Sequence, residues 1–149
     1  MTNDASSPAA LTGGCLCGAV RYRIDAQPLG TRYCWCRTCQ YLAAGNASVN
    51  VRVPAAALQV EGVATDYASV ADSGNRMHRQ FCPTCGTQLF SASEGFPDVV
   101  VVRVGTLDDP AAVQPSMHIW TASAPRWACI DATLPATPAQ PAPAPAPRT

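Results

Sequence analysis

Seven of the eight cysteines in this 149-residue chain fall into three tight clusters. The clusters are Cys15-Leu16-Cys17, Cys34-Trp35-Cys36-Arg37-Thr38-Cys39 and Cys82-Pro83-Thr84-Cys85-Gly86. Four of these thiols can close one tetrahedral zinc site, and the other three can hold a second zinc with one position open. Closed zinc sites are structural, whereas sites with an open position do chemistry. Two Zn2+ per chain is the expectation, and four plus three suggests an enzyme rather than a zinc-stapled fold.

An even cysteine count also fits a disulfide-rich secreted domain. The first ten residues argue against it, with no basic segment and no apolar core of a signal peptide. A chain of this length can build its own core. Cys-x-Cys neighbours bridge poorly to each other, while both can reach one ion. Thiolate ligands need a reducing compartment, so the cytoplasm is expected.

The spacings have a physical logic. Residues i and i+2 of a strand share a face, so Cys15 and Cys17 can aim at one ion from an extended segment, as can Cys34 and Cys36. Cys82-x-x-Cys85-Gly86 is a knuckle spacing, with a glycine free to take positive φ after the second ligand. Spacing leaves the allocation open. Cys82 and Cys85 could complete a site with Cys15 and Cys17, or with Cys34 and Cys36.

Net charge is zero, with ten arginines against ten acidic residues. That leaves no basic surplus for nucleic acid. No apolar run is long enough to span a membrane. Residues 1–10 read as a flexible leader, residues 11–134 as one zinc-binding domain, and residues 135–149 as a disordered Ala/Pro tail whose prolines remove sheet donors. Short alternating segments between these ends predict a mainly β fold. Strands are expected at Ala19–Ile24, Thr31–Cys36, Ser48–Val53, Leu58–Val63, Thr65–Val70, Arg76–Phe81, Gln88–Ser91, Val99–Val104 and His118–Thr121. Leu58–Phe81 reads as a meander, the Val99 run as the most buried strand, and Arg37–Ala43 as a turn of chain or helix.

The order of motifs resembles a known family. Gly13-Gly-Cys-Leu-Cys-Gly-Ala-Val-Arg-Tyr22 comes first, then Cys34-x-Cys36-x-x-Cys39, then Phe81-Cys-Pro-Thr-Cys-Gly-Thr-Gln-Leu89. Gly105-Thr-Leu-Asp-Asp-Pro110 and His118-Ile-Trp120 follow, with Ala124-Pro125 and Trp127. This succession is similar to the glutathione-dependent formaldehyde-activating enzymes, which share their domain with centromere protein V. The resemblance implies a β-tent fold of short antiparallel strands around two zincs. It implies that Cys15, Cys17, Cys82 and Cys85 hold the structural zinc and that Cys34, Cys36 and Cys39 hold the catalytic one. It further implies a carbon–sulfur lyase that adds a thiol, glutathione or similar, reversibly to formaldehyde or another small aldehyde. An open three-thiolate zinc suits that reaction, because its fourth position can take a thiol and lower its pKa. Many relatives have His where this chain has Trp35, and Arg where it has Gln40, so Arg37 is a candidate for the substrate contact.

His118 is the better histidine for proton transfer, set against a purely structural role. Trp120 is a candidate substrate wall, although Trp120 and Trp127 read first as core. Arg37, Arg76 and Arg79 are candidates for substrate carboxylates, and Cys129 reads as a buried free thiol. Asp108-Asp109-Pro110 reads as a turn with a capping carboxylate. The alternative function is a non-catalytic zinc-binding protein-interaction module, as the centromere branch of the resemblance suggests.

Overall fold

The computed structural model describes residues 9–142. Most of the expected leader and residues 143–149 of the Ala/Pro tract lie outside the described residues. The fold is mainly β, in two sheets. The small sheet is antiparallel, formed by β1 (Leu11–Gly14), β2 (Arg21–Ile24) and β5 (Leu58–Glu61) in the order β1-β2-β5. The large sheet takes β3 (Gly30–Cys34), β4 (Ser48–Pro54), β6 (Thr65–Val70), β7 (Arg76–Phe81), β8 (Gln88–Ser93), β9 (Phe96–Arg103) and β10 (His118–Ile119). Its order is β10-β3-β4-β9-β8-β7-β6. The one α-helix among the described residues, α1 (Arg37–Leu42), follows β3 directly.

Alternation in β4 shows how the sheets meet. Val51 and Val53 are fully buried, as is Val102 on the neighbouring β9. They pack with Phe90 against Tyr22 and Ile24 of the small sheet. Tyr22 and Phe90 meet edge to face at 5.2 Å. Each buried side chain of this size contributes about 1.5–3 kcal/mol. Gly13 lets the sheets close, because a Cβ there would stand 2.3 Å from the Thr106 carbonyl.

Several expectations need correction. β1 was not foreseen, and β5 leaves the expected meander to pair with β2. β10 pairs with β3 in parallel, the exception in an otherwise antiparallel large sheet. The Val99 end of β9 is only half-buried, and β4 is more enclosed. The first part of the Ala/Pro tract is not free. His118 donates its backbone N–H to Pro135, Thr137 donates to His118, and Thr121 and Ala122 donate to Thr137 and Pro138. Proline lacks a donor but keeps its carbonyl, and the N–H donors here come from His118, Thr137, Thr121 and Ala122. Among the described residues no helix is long and apolar enough to cross a membrane.

Candidate metal centres

The cysteines gather into two groups. The sulfurs of Cys15, Cys17, Cys82 and Cys85 lie within 4.8 Å of one another, and so do those of Cys34, Cys36 and Cys39. This resolves the allocation that spacing left open.

The four-cysteine group is built from two tight loops. Cys15 to Gly18 is a turn rather than the expected extended segment, with Gly18 N–H donating to the Cys15 carbonyl. Cys82 to Gly86 is the expected knuckle, closed by Gly86 N–H to the Cys82 carbonyl, with Gly86 at φ 75°. Thr87 locks the loops together. Its hydroxyl accepts from Leu16 N–H at 3.1 Å and lies 3.1 Å from the Cys85 sulfur, to which it donates when that sulfur is a thiolate. That hydrogen bond, helped by backbone amides, holds the Cys85 thiol down at about 5. Val20 N–H donates to the Cys15 sulfur.

The geometry fits zinc. Tetrahedral zinc with Zn–S near ~2.3 Å requires sulfurs about 3.8 Å apart. Cys15–Cys17 and Cys17–Cys82 stand at 3.6 and 3.8 Å. A disulfide would need about 2.05 Å, and all eight cysteines are free thiols.

The three-cysteine group comes from six consecutive positions. Cys34 ends β3, and Cys36 caps α1, its sulfur accepting from Cys39 N–H at 3.4 Å. All three are buried. Hydrogen bonds from Cys34 and Cys36 hold Cys39 down at about 3, with Arg103 and an Asn50 hydrogen bond adding to the effect. Cys34 is pushed up, by Cys36 and Cys39 before burial. One sulfur thus holds charge at the expense of its neighbours. Three thiolates in this space need a cation, which the donor set suits.

Asn50 and Arg103 were not anticipated as part of this centre. The Asn50 carbonyl oxygen accepts from Arg103 Nη1 and from Ser48 Oγ. Its amide nitrogen is therefore the group turned to Cys39. Arg103 is almost fully enclosed and also donates to Ser91. Burial pushes its guanidinium down, and the cysteine sulfurs pull it back up. The available signal was an arginine set directly after the four valines Val99–Val102 and before Val104.

The remaining candidates are placed as follows. His118 lies opposite Tyr33 in the β10–β3 register and stacks on it at 4.5 Å. Successive residues alternate faces, so His118 and Tyr33 turn away from Cys34 and Ile119. His118 is not among the grouped metal ligands. Its Nδ1 accepts from Trp35 Nε1 at 3.2 Å, and burial holds its pKa below the ordinary value. Trp35 therefore sits between two cysteines in sequence but points to the other face. Gln40 is a pin: its amide donates to the Trp35 and Ser123 carbonyls, and its oxygen accepts from Arg37. Arg37 is exposed, over the Tyr41 ring. Trp120, partly buried, packs on the three-cysteine cluster with Met117. Trp127 and Cys129 are exposed rather than buried. Arg76 pairs with Glu94 at the surface, whereas Arg79 is buried. Asp109 caps Ala111 N–H as expected, and Asp108 pairs with Arg21.

The fold and its two cysteine groups define a mainly β protein with two candidate metal centres, one with four thiols and one with three. The model of the family described as glutathione-dependent formaldehyde-activating enzyme matches residues 10–123, and the chain belongs to that family. A Halomonas elongata protein, provisionally named glutathione-dependent formaldehyde-activating enzyme, is 27% identical over 127 residues, covering 81% of each chain. A crystal structure of a Rhodobacter sphaeroides protein shares the fold, with TM-score 0.54 and 24% identity over 70% of this chain and 91% of that one.

Proposed function

We propose that this chain is a carbon–sulfur lyase that adds a thiol, glutathione or similar, reversibly to formaldehyde or another small aldehyde. In this reading Cys15, Cys17, Cys82 and Cys85 hold a structural zinc, and Cys34, Cys36 and Cys39 hold the catalytic one. The observation that carries it is the difference between a cluster closed by four sulfurs and a buried cluster with three. When bound at the second cluster, zinc would offer a fourth position at which a thiol loses its proton near neutral pH.

The reaction forms one S–C bond. The substrate sulfur gives its electron pair to the carbonyl carbon, and the C=O π pair moves to oxygen, which takes up a proton. The reverse reaction breaks the S–C bond and returns the aldehyde. The chain's residues support this by holding charge and excluding water. Asn50 and Arg103 direct an amide and a buried cation at Cys39. Trp120 and Met117 cover the cluster on one side. Gln40 and Trp35 fix the turn that presents the sulfurs. His118 is set against proton transfer at this cluster, because it lies on the opposite face.

Exchange spectroscopy by NMR on glutathione and formaldehyde tests the reading. Zinc-loaded protein should accelerate interconversion of glutathione and S-(hydroxymethyl)glutathione over the spontaneous rate, and Cys39→Ser should return it to that rate with the fold intact. No acceleration for any thiol and aldehyde pair, in protein holding two metals, would overturn it.

A further inference from the structure

The large sheet has two unlike faces. Val51, Val53, Phe90 and Val102 fill one. Directly paired residues share a face and alternate along each strand, so Cys34, Ser48, Asn50, Arg103, Ser91 and Arg79 all lie on the other. Acidic residues do not follow the arginines onto this face. Among the described residues the ion pairs are Arg21–Asp108, Arg23–Asp25, Arg76–Glu94 and the contacts of His78 with Asp66 and Glu94. None includes Arg79 or Arg103.

The two differ in what occupies their donors. Arg103 is engaged through both terminal nitrogens by Asn50, Ser48 and Ser91 beneath the cysteine cluster, with its buried Nε left without a partner. Arg79 is 6% exposed, and the side-chain hydrogen bond found for it is one from Nη1 to Ser69 Oγ. A guanidinium has five donors and does not shed its charge. Burial without a carboxylate is costly. Arg79 lines a cleft of about 460 Å³ together with Thr38, Tyr41, Tyr67 and Phe81. Thr38 immediately precedes Cys39 in α1, so one end of the cleft lies within one residue of the three-cysteine cluster, although no cysteine lines it.

We propose that Arg79 is the carboxylate anchor of this cleft, and that the chain selects an anionic thiol lying between Tyr41 and Tyr67 with its sulfur toward Cys34, Cys36 and Cys39. The sulfur end rests on the thiol-addition reading; the carboxylate end does not. A planar guanidinium at the cleft wall matches a carboxylate fork. A neutral ligand of the same shape would leave the cation unpaired in a partly desolvated cleft, so discrimination exceeds what the contact alone would supply.

Calorimetry on zinc-loaded protein with S-methylglutathione and its dimethyl ester tests this. Neither ligand has a free thiol, so binding is read apart from the chemistry. The acid should bind about tenfold or more tighter than the ester. Arg79→Gln should level the two, and Arg79→Lys should keep part of the preference, both compared at matched zinc content and melting temperature. Equal binding of acid and ester by the unaltered protein overturns the proposal, as does binding of neither; that comparison needs no variant. Persistence of the preference in a folded Arg79→Gln protein also overturns it. A preference for the acid in protein that fails to accelerate thiol–formaldehyde exchange would retain the anchor and sink only the lyase reading.

Discussion

The two cysteine corners use the same ligand chemistry and are built in opposite ways. The four-cysteine corner joins loops from distant parts of the chain; Cys17 and Cys82 are 65 residues apart. The three-cysteine corner is one short stretch, six positions from the end of β3 into α1. A cross-link between distant segments removes much of the freedom of the unfolded chain and so acts on stability. A local cluster closes almost no loop, and the scaffold around it can be spent on chemistry instead. Surroundings follow the same division. Backbone amides and Thr87 serve the first corner, while a buried arginine and an asparagine serve the second.

The largest expected effect breaks the comparison directly. Cys82→Ser should cost one bound metal and most of the fold, because structural zinc in sites of this type supplies about 10–16 kcal/mol of apparent binding free energy. Cys36→Ser should also cost one metal but leave the far-ultraviolet circular dichroism and most of the melting temperature in place. Equal melting temperatures for the two variants would contradict the division.

A smaller effect concerns the strand beside the second corner. Deleting Pro135–Thr149 removes several backbone hydrogen bonds to β10 and the turn after it. At about 0.5–1.5 kcal/mol for each of the five, the loss should come to about 2.5–7.5 kcal/mol in chemical denaturation, with zinc content unchanged. An unaltered denaturation midpoint would show that the tract contributes nothing to β10.

Trp35→Phe sharpens the separation of faces. It leaves His118 Nδ1 without its donor on the core side and should cost about 1 kcal/mol, with two metals retained. Loss of a metal would place Trp35 in the cysteine centre after all.

The smallest effect lies at a partly exposed pair of contacts on β7. Asp66 and then Glu94 hold the His78 pKa above its ordinary value. Its folded pKa exceeds the unfolded one, so the stabilisation is complete below about pH 6.5 and is lost as pH rises through the folded pKa. The melting-temperature advantage over His78→Gln should therefore shrink as pH is raised across that range. An advantage that grows with pH would contradict the pairing.

Local chemistry was legible in the sequence where neighbours in the chain are also neighbours in space. The knuckle at Cys82–Gly86 and the alternation of β4 are of this kind, while the stretch after Cys36 was legible only as a turn of chain or helix. Features decided by register were not. Trp35 faces His118 only because β10 joins β3 in parallel, and a two-residue strand carries no periodicity from which to foresee that. Arg103 supports Cys39 only because β9 lies beside β4. Residues 135–140 looked incapable of pairing because their prolines were weighed for missing donors and not for carbonyls that remain. The three-plus-four division could be counted from the start; its allocation came from the family resemblance, because spacing alone does not say which loops meet.

Cobalt substitution at both corners tests the central claim most directly. With two cobalt ions bound, a small thiol should intensify and shift the thiolate charge-transfer and ligand-field bands of one ion only. In Cys36→Ser protein that response should vanish while the bands of the four-cysteine ion remain. Bands unmoved by any thiol, or a response that survives in Cys36→Ser, would contradict an open three-cysteine centre beside a closed four-cysteine one.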